Sequence, residues 1–453
     1  MESVTTFELN KELIEQLKLA VDTQDRAFIQ QQLENVNYAD ICAVLYELDE
    51  EEAVFVIKAL PITLAADVIA ELDEDVLEEF LDEFDSKELA QYVERQETDD
   101  AKDLLDELPI IKREEVIGYL KNKEKARHIQ ELLRYEEDCA GGLMGKELIK
   151  ANMNWNVEQC IEEIRRQAKH VDKIYSVYVV DDDELLLGRV ALKKLLLAKE
   201  NAKVGDIYND EVISVYTYQP TEEVAAIMQK YDLEALPVIN VQGKLVGRIT
   251  IDDVIDVITE MAEQERQIMA GISEDVEEDD SVWMLSRARL PWLIIGLVGG
   301  IIGARFIGVF EDDLAEVTAI AFFIPLIMAT GGNVGIQSSA LVVQSLATPQ
   351  AFQDPITRKL FKVFLVALIN GIVLAGLVYL FIYFTSGASL AYVVSAALFT
   401  VVLLASFFGT VIPLALDKIG FNPALASGPF ITTTIDLMGL LVYFMVAHAL
   451  FNL

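Results

Sequence analysis

The chain is 453 residues long, carries a formal charge of −38 and is 53% hydrophobic. A surface that acidic repels nucleic acid and anionic lipid, so neither is an expected partner, and it favours cations. Three cysteines (Cys42, Cys139, Cys160) and three histidines form no zinc-ligand spacing and no disulfide framework, as suits a reducing compartment.

Charge and hydropathy separate along the chain. From Leu290 onward five basic residues face seven acidic ones, a balance of −2, so −36 belongs to residues 1–289. The chain therefore reads as an acidic soluble part joined to an apolar membrane part. Its first residues, MESVTTFELNKELIEQ, lack the basic and apolar regions of a signal peptide, so the soluble part is expected in the cytoplasm.

Residues 1–135 have the three- and four-residue apolar spacing of amphipathic helices and few glycines. The run Tyr46–Ala53 (YELDEEEA) recurs as Ala70–Leu77 (AELDEDVL), with related pieces near Glu83 and Asp106. A step of about a dozen residues per helix and turn predicts a stack of short helical pairs. Nothing in this segment looks catalytic.

From about Ala140 the pattern becomes mixed. β-rich runs at Ile174–Val180 and Ala235–Asn240 are each preceded by a helical segment, Val157–Gln167 and Thr221–Tyr231. Each is followed by a second strand and a helix, within Leu185–Leu197 and Lys244–Thr259. That is a tandem helix–strand–strand–helix module. The second copy ends a strand with Thr250 and supplies Asp253 three residues later. This spacing resembles a CBS domain, and the two copies resemble a CBS pair, in which such an element often holds a ribose. The first copy departs from it, with Ala191 and Lys194 in those places. ATP binding through Thr250 and Asp253 and a purely structural pair are both open readings here.

The helix after the second copy continues to Met269, before Gly271 and the acidic run Ser273–Asp280. It connects the soluble and membrane parts and is placed to transmit a conformational change.

Five apolar stretches follow, at about Leu290–Phe310, Val317–Ala347, Phe361–Thr385, Leu390–Leu416 and Ala426–Phe451. Each is long enough to cross a bilayer. Arg287, Arg289, Arg358, Lys359, Lys362 and Lys418 mark one side. Glu311, Asp312, Asp313, Glu316 and the neutral Ser386–Ser389 mark the other. The positive-inside rule then puts the soluble part in the cytoplasm and the C-terminus outside.

Two of the stretches are chemically unusual. The second holds Thr330–Ser339 (TGGNVGIQSS), whose glycines, Asn333 and Gln337 suit backbone opened along a polar path. Close helix packing through small residues is the alternative, and it accounts for the glycines but not the amides. The last holds Asp436 behind Thr432, Thr433 and Thr434, with no basic residue in the run. A carboxylate at membrane depth costs at least ~2.5 kcal/mol and is kept where it faces a polar path or another protein group. A cation pathway and a protonated Asp436 bonded to a neighbouring helix are the two readings. His448, at the far end, reads as a surface residue.

Gly331–Gln337 and Thr432–Tyr443 resemble the MgtE-type magnesium channels. Glu136–Met144 is similar as well, and so is the order of parts over essentially the whole chain. The resemblance implies a multidomain fold. It comprises an all-α helical-repeat N domain (1–135) and an α+β tandem CBS pair (136–260, in copies of about 136–202 and 203–260). A connecting plug helix and linker (253–280) and a five-helix transmembrane domain (281–453) complete it. It further implies a homodimer in the lipid bilayer with its pore on the two-fold axis, lined by Asp436, Asn333, Thr432 and Gln337. Closure by intracellular Mg2+ is implied at Glu222, Asp232, Asp253, Asp256 and Glu265. Pro220, Met261 and Asn422 stand where the family has acids. A channel of the same build for Co2+ or Mn2+, and a non-conducting CBS nucleotide sensor, are the competing functions. An enzyme is disfavoured by the lack of a phosphate-binding loop, nucleophile–base pair or zinc motif.

Overall fold

The protein is described by a computed structural model covering residues 9–72, 74–168, 171, 173–274, 276, 280–347, 356–426 and 428–451. Part of the acidic run at 273–280, and the first eight residues of the N-terminal stretch, lie outside the described residues. Two compact units divide the chain, Met1–Ile258 and Thr259–Leu453.

In the first unit, ten short helices run from α1 (Lys11–Asp22) to α10 (Lys123–Leu132) among the described residues. Each is 8 to 12 residues long, close to the predicted step. Their starts are set by side chains that satisfy orphan backbone donors. Asn10 accepts from the Leu13 N–H. Asp85 accepts from the Lys87 and Glu88 N–H groups, while the Glu88 carboxylate reaches back to the Asp85 N–H. No helix this short is stable alone in water. What holds them is one continuous core that includes Leu17, Ile29, Leu45, Ile57, Leu89 and Leu105.

Two similar α+β repeats follow. The first comprises β1 (Ile149–Asn152), α11 (Val157–Gln167), β2 (Val177–Val180), β3 (Leu186–Val190) and α12 (Leu192–Leu197). The second comprises β4 (Val215–Tyr216), α13 (Thr221–Tyr231), β5 (Ala235–Ile239), β6 (Leu245–Thr250) and α14 (Ile251–Ala270). In each sheet the first strand pairs parallel to the second, and the second antiparallel to the third. The helices stand where the sequence put them, but each repeat gains a leading strand. With four and two residues, β1 and β4 are too short to show a period-two pattern.

In the second unit, five helices among the described residues are long and apolar enough to cross a membrane. They are α15 (Val282–Val309), α17 (Ile324–Ala347), α18 (Ile356–Ser386), α19 (Ala388–Lys418) and α20 (Pro429–Phe451), with the short α16 (Glu311–Glu316) after the first. The first span begins eight residues earlier than its apolar run, because the Ser281 hydroxyl accepts from the Met284 N–H and starts the helix. The second span opens as a 3-10 turn, Thr318–Phe323, and becomes α-helical at Ile324. Pro325 follows at once, where its missing N–H costs nothing. Tyr443 of α20 donates its hydroxyl to the Ile320 carbonyl of that turn at 2.8 Å. The most buried of the five is α19, with Val394, Leu398, Val401 and Ala405 in its core-facing stripe.

Candidate functional site

Within the membrane unit, α17 is continuous through Gly331, Gly332 and Gly335, so the expected opening of the backbone does not occur. The glycines are there for packing. A Cβ on Gly335 would lie 1.8 Å from Ile435 Cδ1, and one on Gly331 3.0 Å from Val401 Cγ1. The Gly335 carbonyl oxygen is 2.5 Å from the Cβ position of Gly409. Backbones this close exclude side chains, as between small residues of packed membrane helices.

That packing sets Gly332 of α17 beside two of the predicted pore residues, Thr432 and Asp436 of α20. A Cβ on Gly332 would lie 3.4 Å from Thr432 Cγ2 and 3.6 Å from Asp436 Oδ1. Asp436 also borders a cavity of about 230 Å3 lined by Gly296, Gly299, Gly300 and Gly303 of α15 and by Thr433 of α20. Among the described residues no basic side chain pairs with Asp436 and no neighbouring helix hydrogen-bonds to it. Asn333 and Gln337 lie one turn apart on α17 and are exposed in the single chain. The Thr432 hydroxyl donates to the Gly428 carbonyl at 2.9 Å, so α20 is not broken at its threonines; it starts cleanly at Pro429.

The start of α20 meets the end of α14. Gly428, at φ +57°, would carry its Cβ 2.3 Å from the Met269 carbonyl oxygen. Gly271, at φ +83°, faces Pro429 in the same way. Only glycine takes these left-handed conformations freely and leaves room for such an approach. The described acids after α14 are not all free in solvent: Glu274 pairs with Arg287 at 3.0 Å. His448 is exposed as expected, yet its Nδ1 lies 3.0 Å from Asp313 Oδ2.

The predicted regulatory acids are dispersed. Glu222 and Asp232 sit at opposite ends of α13, both exposed. Asp232 is its left-handed C-cap, at φ +52°, a conformation that Asp tolerates better than most residues. Glu265 lies on α14 in the second unit and Asp256 on its earlier turns in the first.

Asp253 is in different company. It faces an acidic cluster, shared by the helical domain and the start of the CBS pair, that sequence reasoning missed. Glu97, Asp99 and Glu147 each present a carboxylate oxygen within 4.8 Å of the others. Asp99 and Asp100 open α8 (Thr98–Asp106), and Glu97 is its N-cap residue. In sequence they look like the acids common in any first helical turn. Only the fold sets them against Gly145, whose Cβ position is 2.4 Å from Asp99 Oδ2, and against Glu147, which accepts from the Thr98 hydroxyl at 2.7 Å.

Burial, followed by mutual repulsion, raises the Asp99 carboxyl well above the usual range and pushes Asp100 up to about 7. Burial likewise pushes Asp253 up to about 6, although it accepts from the Thr250 N–H at 2.9 Å and the Thr250 hydroxyl at 2.7 Å. The Thr250–Asp253 pair is thus bonded to itself at the start of α14. An all-oxygen set of closely spaced, desolvated carboxylates fits a hard divalent cation.

A transporter-domain family model described as "MgtE: Divalent cation transporter" matches residues 324–446. The model of the MgtE intracellular N domain matches residues 36–138, and a CBS-domain model matches 204–260. The magnesium transporter MgtE of Thermus thermophilus is 32% identical over 98% of this chain and 99% of its own length. The chain belongs to the MgtE family. The MgtE of Bacillus subtilis is 30% identical over 90% of this chain and 91% of its own. Among solved structures, the cytosolic domain of the Mg2+ channel MgtE in complex with ATP is 33% identical, at a TM-score of 0.51. It matches over 54% of this chain and 99% of that one. The soluble part of a magnesium transporter matches at 29% identity and a TM-score of 0.50, over 56% and 99%. The MgtE transporter model spans both Gly331–Gln337 and Thr432–Tyr443, and the N-domain model spans Glu97–Asp103.

Proposed function

We propose that the chain is a magnesium channel that admits Mg2+ through a two-fold pore and closes when the ion accumulates at its cytoplasmic acids. The observation that carries this reading is Asp436, a carboxylate inside a membrane helix that has no ion-pair partner among the described residues, beside Gly332, Thr432 and a cavity. A lone anion there is costly unless a cation visits it. Asn333 and Gln337, exposed on a spanning helix, are poor company for lipid and good company for a hydrated ion. Their exposure in one chain supports a homodimer in which a second copy completes the path. Magnesium sheds water reluctantly, so a few oxygen groups that leave it partly hydrated suit it. The conducting residues named here include no Cys or His, which disfavours softer metals.

Closure rests on the acids at the helical domain and on α14. Cations between Glu97, Asp99, Glu147 and Asp253 stabilise the docked arrangement of the helical domain and the CBS pair, and so shift the population toward it. Because α14 ends against Gly428, just before the helix that carries Asp436, it is the natural route to the pore. The basic residues Arg287, Arg289, Arg358, Lys359, Lys362 and Lys418 set the orientation, with the soluble part in the cytoplasm and the last residues outside. ATP at the CBS pair belongs to the same reading. The relative whose cytosolic domain was solved in complex with ATP supports it.

Liposomes holding the purified protein test the core of this proposal. Mg2+ uptake is expected, and it should fall several-fold with millimolar Mg2+ on the face carrying the soluble part. No uptake at all would leave the nucleotide sensor as the better reading.

A second expectation concerns pH. With their carboxyl groups titrating above the usual range, Asp100 and Asp253 favour the docked state when protonated. That contribution is present below about pH 4 and is lost as pH rises through 6 to 7. Mg2+ should therefore raise the melting temperature more at pH 8 than at pH 6. An equal rise at both values would remove these acids from the set of ligands.

A further inference from the structure

Arg248 of β6 is almost fully buried, at 4% exposure, and it leaves the CBS repeat to reach the helical domain. Its Nη2 lies 2.8 Å from Glu97 Oε2. Its Nη1 donates to the Lys173 carbonyl at 3.1 Å, and the guanidinium lies 5.3 Å from the Tyr175 ring centroid. The backbone of the same residue is paired on both sides with Gly145, through N–H to O distances of 2.8 and 2.9 Å. Gly145 is the residue against which Asp99 packs. Arg248 is thus fixed from three directions, and its charge is delivered to one carboxylate of the acidic interface.

We infer that Arg248 is a built-in cation that docks the helical domain on the second CBS repeat and thereby sets how much Mg2+ the interface needs. The inference rests on the reading of that interface as the magnesium sensor. Glu97, Asp99, Glu147, Asp100 and Asp253 repel one another, and each must be neutralised before the two surfaces can stay together. Arg248 neutralises one of them permanently. The side chain is a positioning residue: it holds Glu97 toward Asp99 and Glu147 and lowers the charge left for metal to offset. Lys125 acts in the same direction from the helical domain, where it donates to the Gln96 carbonyl and feels Glu147, Glu94 and Asp100. The planar fork of an arginine suits the task, because it keeps two acceptors, the Glu97 carboxylate and the Lys173 carbonyl, at once.

The test uses the full chain in detergent and follows docking by hydrogen exchange of the backbone at residues 97–103 and 143–148 across a Mg2+ titration. Arg248→Gln removes the charge and leaves a polar side chain too short to reach the Lys173 carbonyl or Glu97. Its midpoint is expected about tenfold higher in Mg2+ than that of the wild type, which corresponds to about 1.4 kcal/mol of docking free energy. Arg248→Lys should stay within about threefold of the wild type, because it retains the charge. In a Glu97→Gln background, Arg248→Gln should add nothing, since its partner is gone. A wild-type chain whose protection ignores Mg2+ would defeat the sensor reading itself. A wild type that responds, with Arg248→Gln unshifted or Arg248→Lys shifted as far as Arg248→Gln, would overturn the role given to Arg248 alone.

Discussion

Replacing Asp436 by alanine is expected to lower Mg2+ flux about a hundredfold or more, with no loss of protein stability. Removing one charged partner from a desolvated ion contact costs about 2–5 kcal/mol, and each 1.4 kcal/mol is a factor of ten. The flux measurement alone would not separate a lost ligand from a misfolded helix, so the stability arm decides. Asp436 has no ion-pair partner among the described residues, so its removal relieves a buried charge. The melting temperature should hold or rise. Asp436→Asn, the same shape without the charge, should lose flux as alanine does, whereas Asp436→Glu should retain a measurable part. Flux above half the wild-type level in the alanine variant would take Asp436 out of the pathway.

Gly409→Ala is expected to destabilise the membrane unit by on the order of 3 kcal/mol, in the upper range for overpacking. The added Cβ would sit 2.5 Å from the Gly335 carbonyl oxygen and 3.0 Å from Ser338 Cβ. Backbone oxygen cannot rotate aside as a side chain does. Relief therefore requires α17 and α19 to part, at the level where Ser338 and Ser406 hydroxyls lie 3.1 Å apart. Moving α17 the other way drives Gly335 further into Ile435, whose Cδ1 already occupies its Cβ position. Gly376→Ala on α18 is the control, because nothing lies within 4 Å of its Cβ position; it should be neutral or slightly stabilising. Thermal unfolding in detergent reads both, and equal midpoints for the two variants would refute the packing account. Flux should fall with Gly409→Ala even though the residue meets no ion, because Gly331, Gly332 and Gly335 place α17 beside Asp436.

The two variants separate what chemistry and what packing contribute to one site. Asp436 is kept against its own energetic cost. Gly409 and Gly335 are kept because nothing larger lets the helices approach.

Much of this was legible in the order of residues. Apolar runs of more than 20 residues and the charges between them marked five spans, since a bilayer demands length and dehydration whatever the neighbours are. Helical spacing and a step of about a dozen residues marked the short helices, because those signals are local. Asp436 was legible for the same reason: a carboxylate in an apolar run is anomalous before any fold is known.

The tertiary structure decided the rest. The glycines at 331, 332 and 335 looked like an opened backbone. Their role as contacts depends on Val401, Gly409 and Ile435, residues about 70 to 100 positions away. Glu97, Asp99 and Asp100 looked like an ordinary acidic helix start until Gly145, Glu147 and Asp253 were folded against them. Nothing in the sequence around Arg248 sets it apart from other basic residues, and its burial against Glu97 crosses 151 positions. Local propensity and hydropathy act over a few residues, so a sequence displays them directly. Which carboxylates share one desolvated space is set by long-range packing, and only the folded chain brings those groups within reach of a single cation.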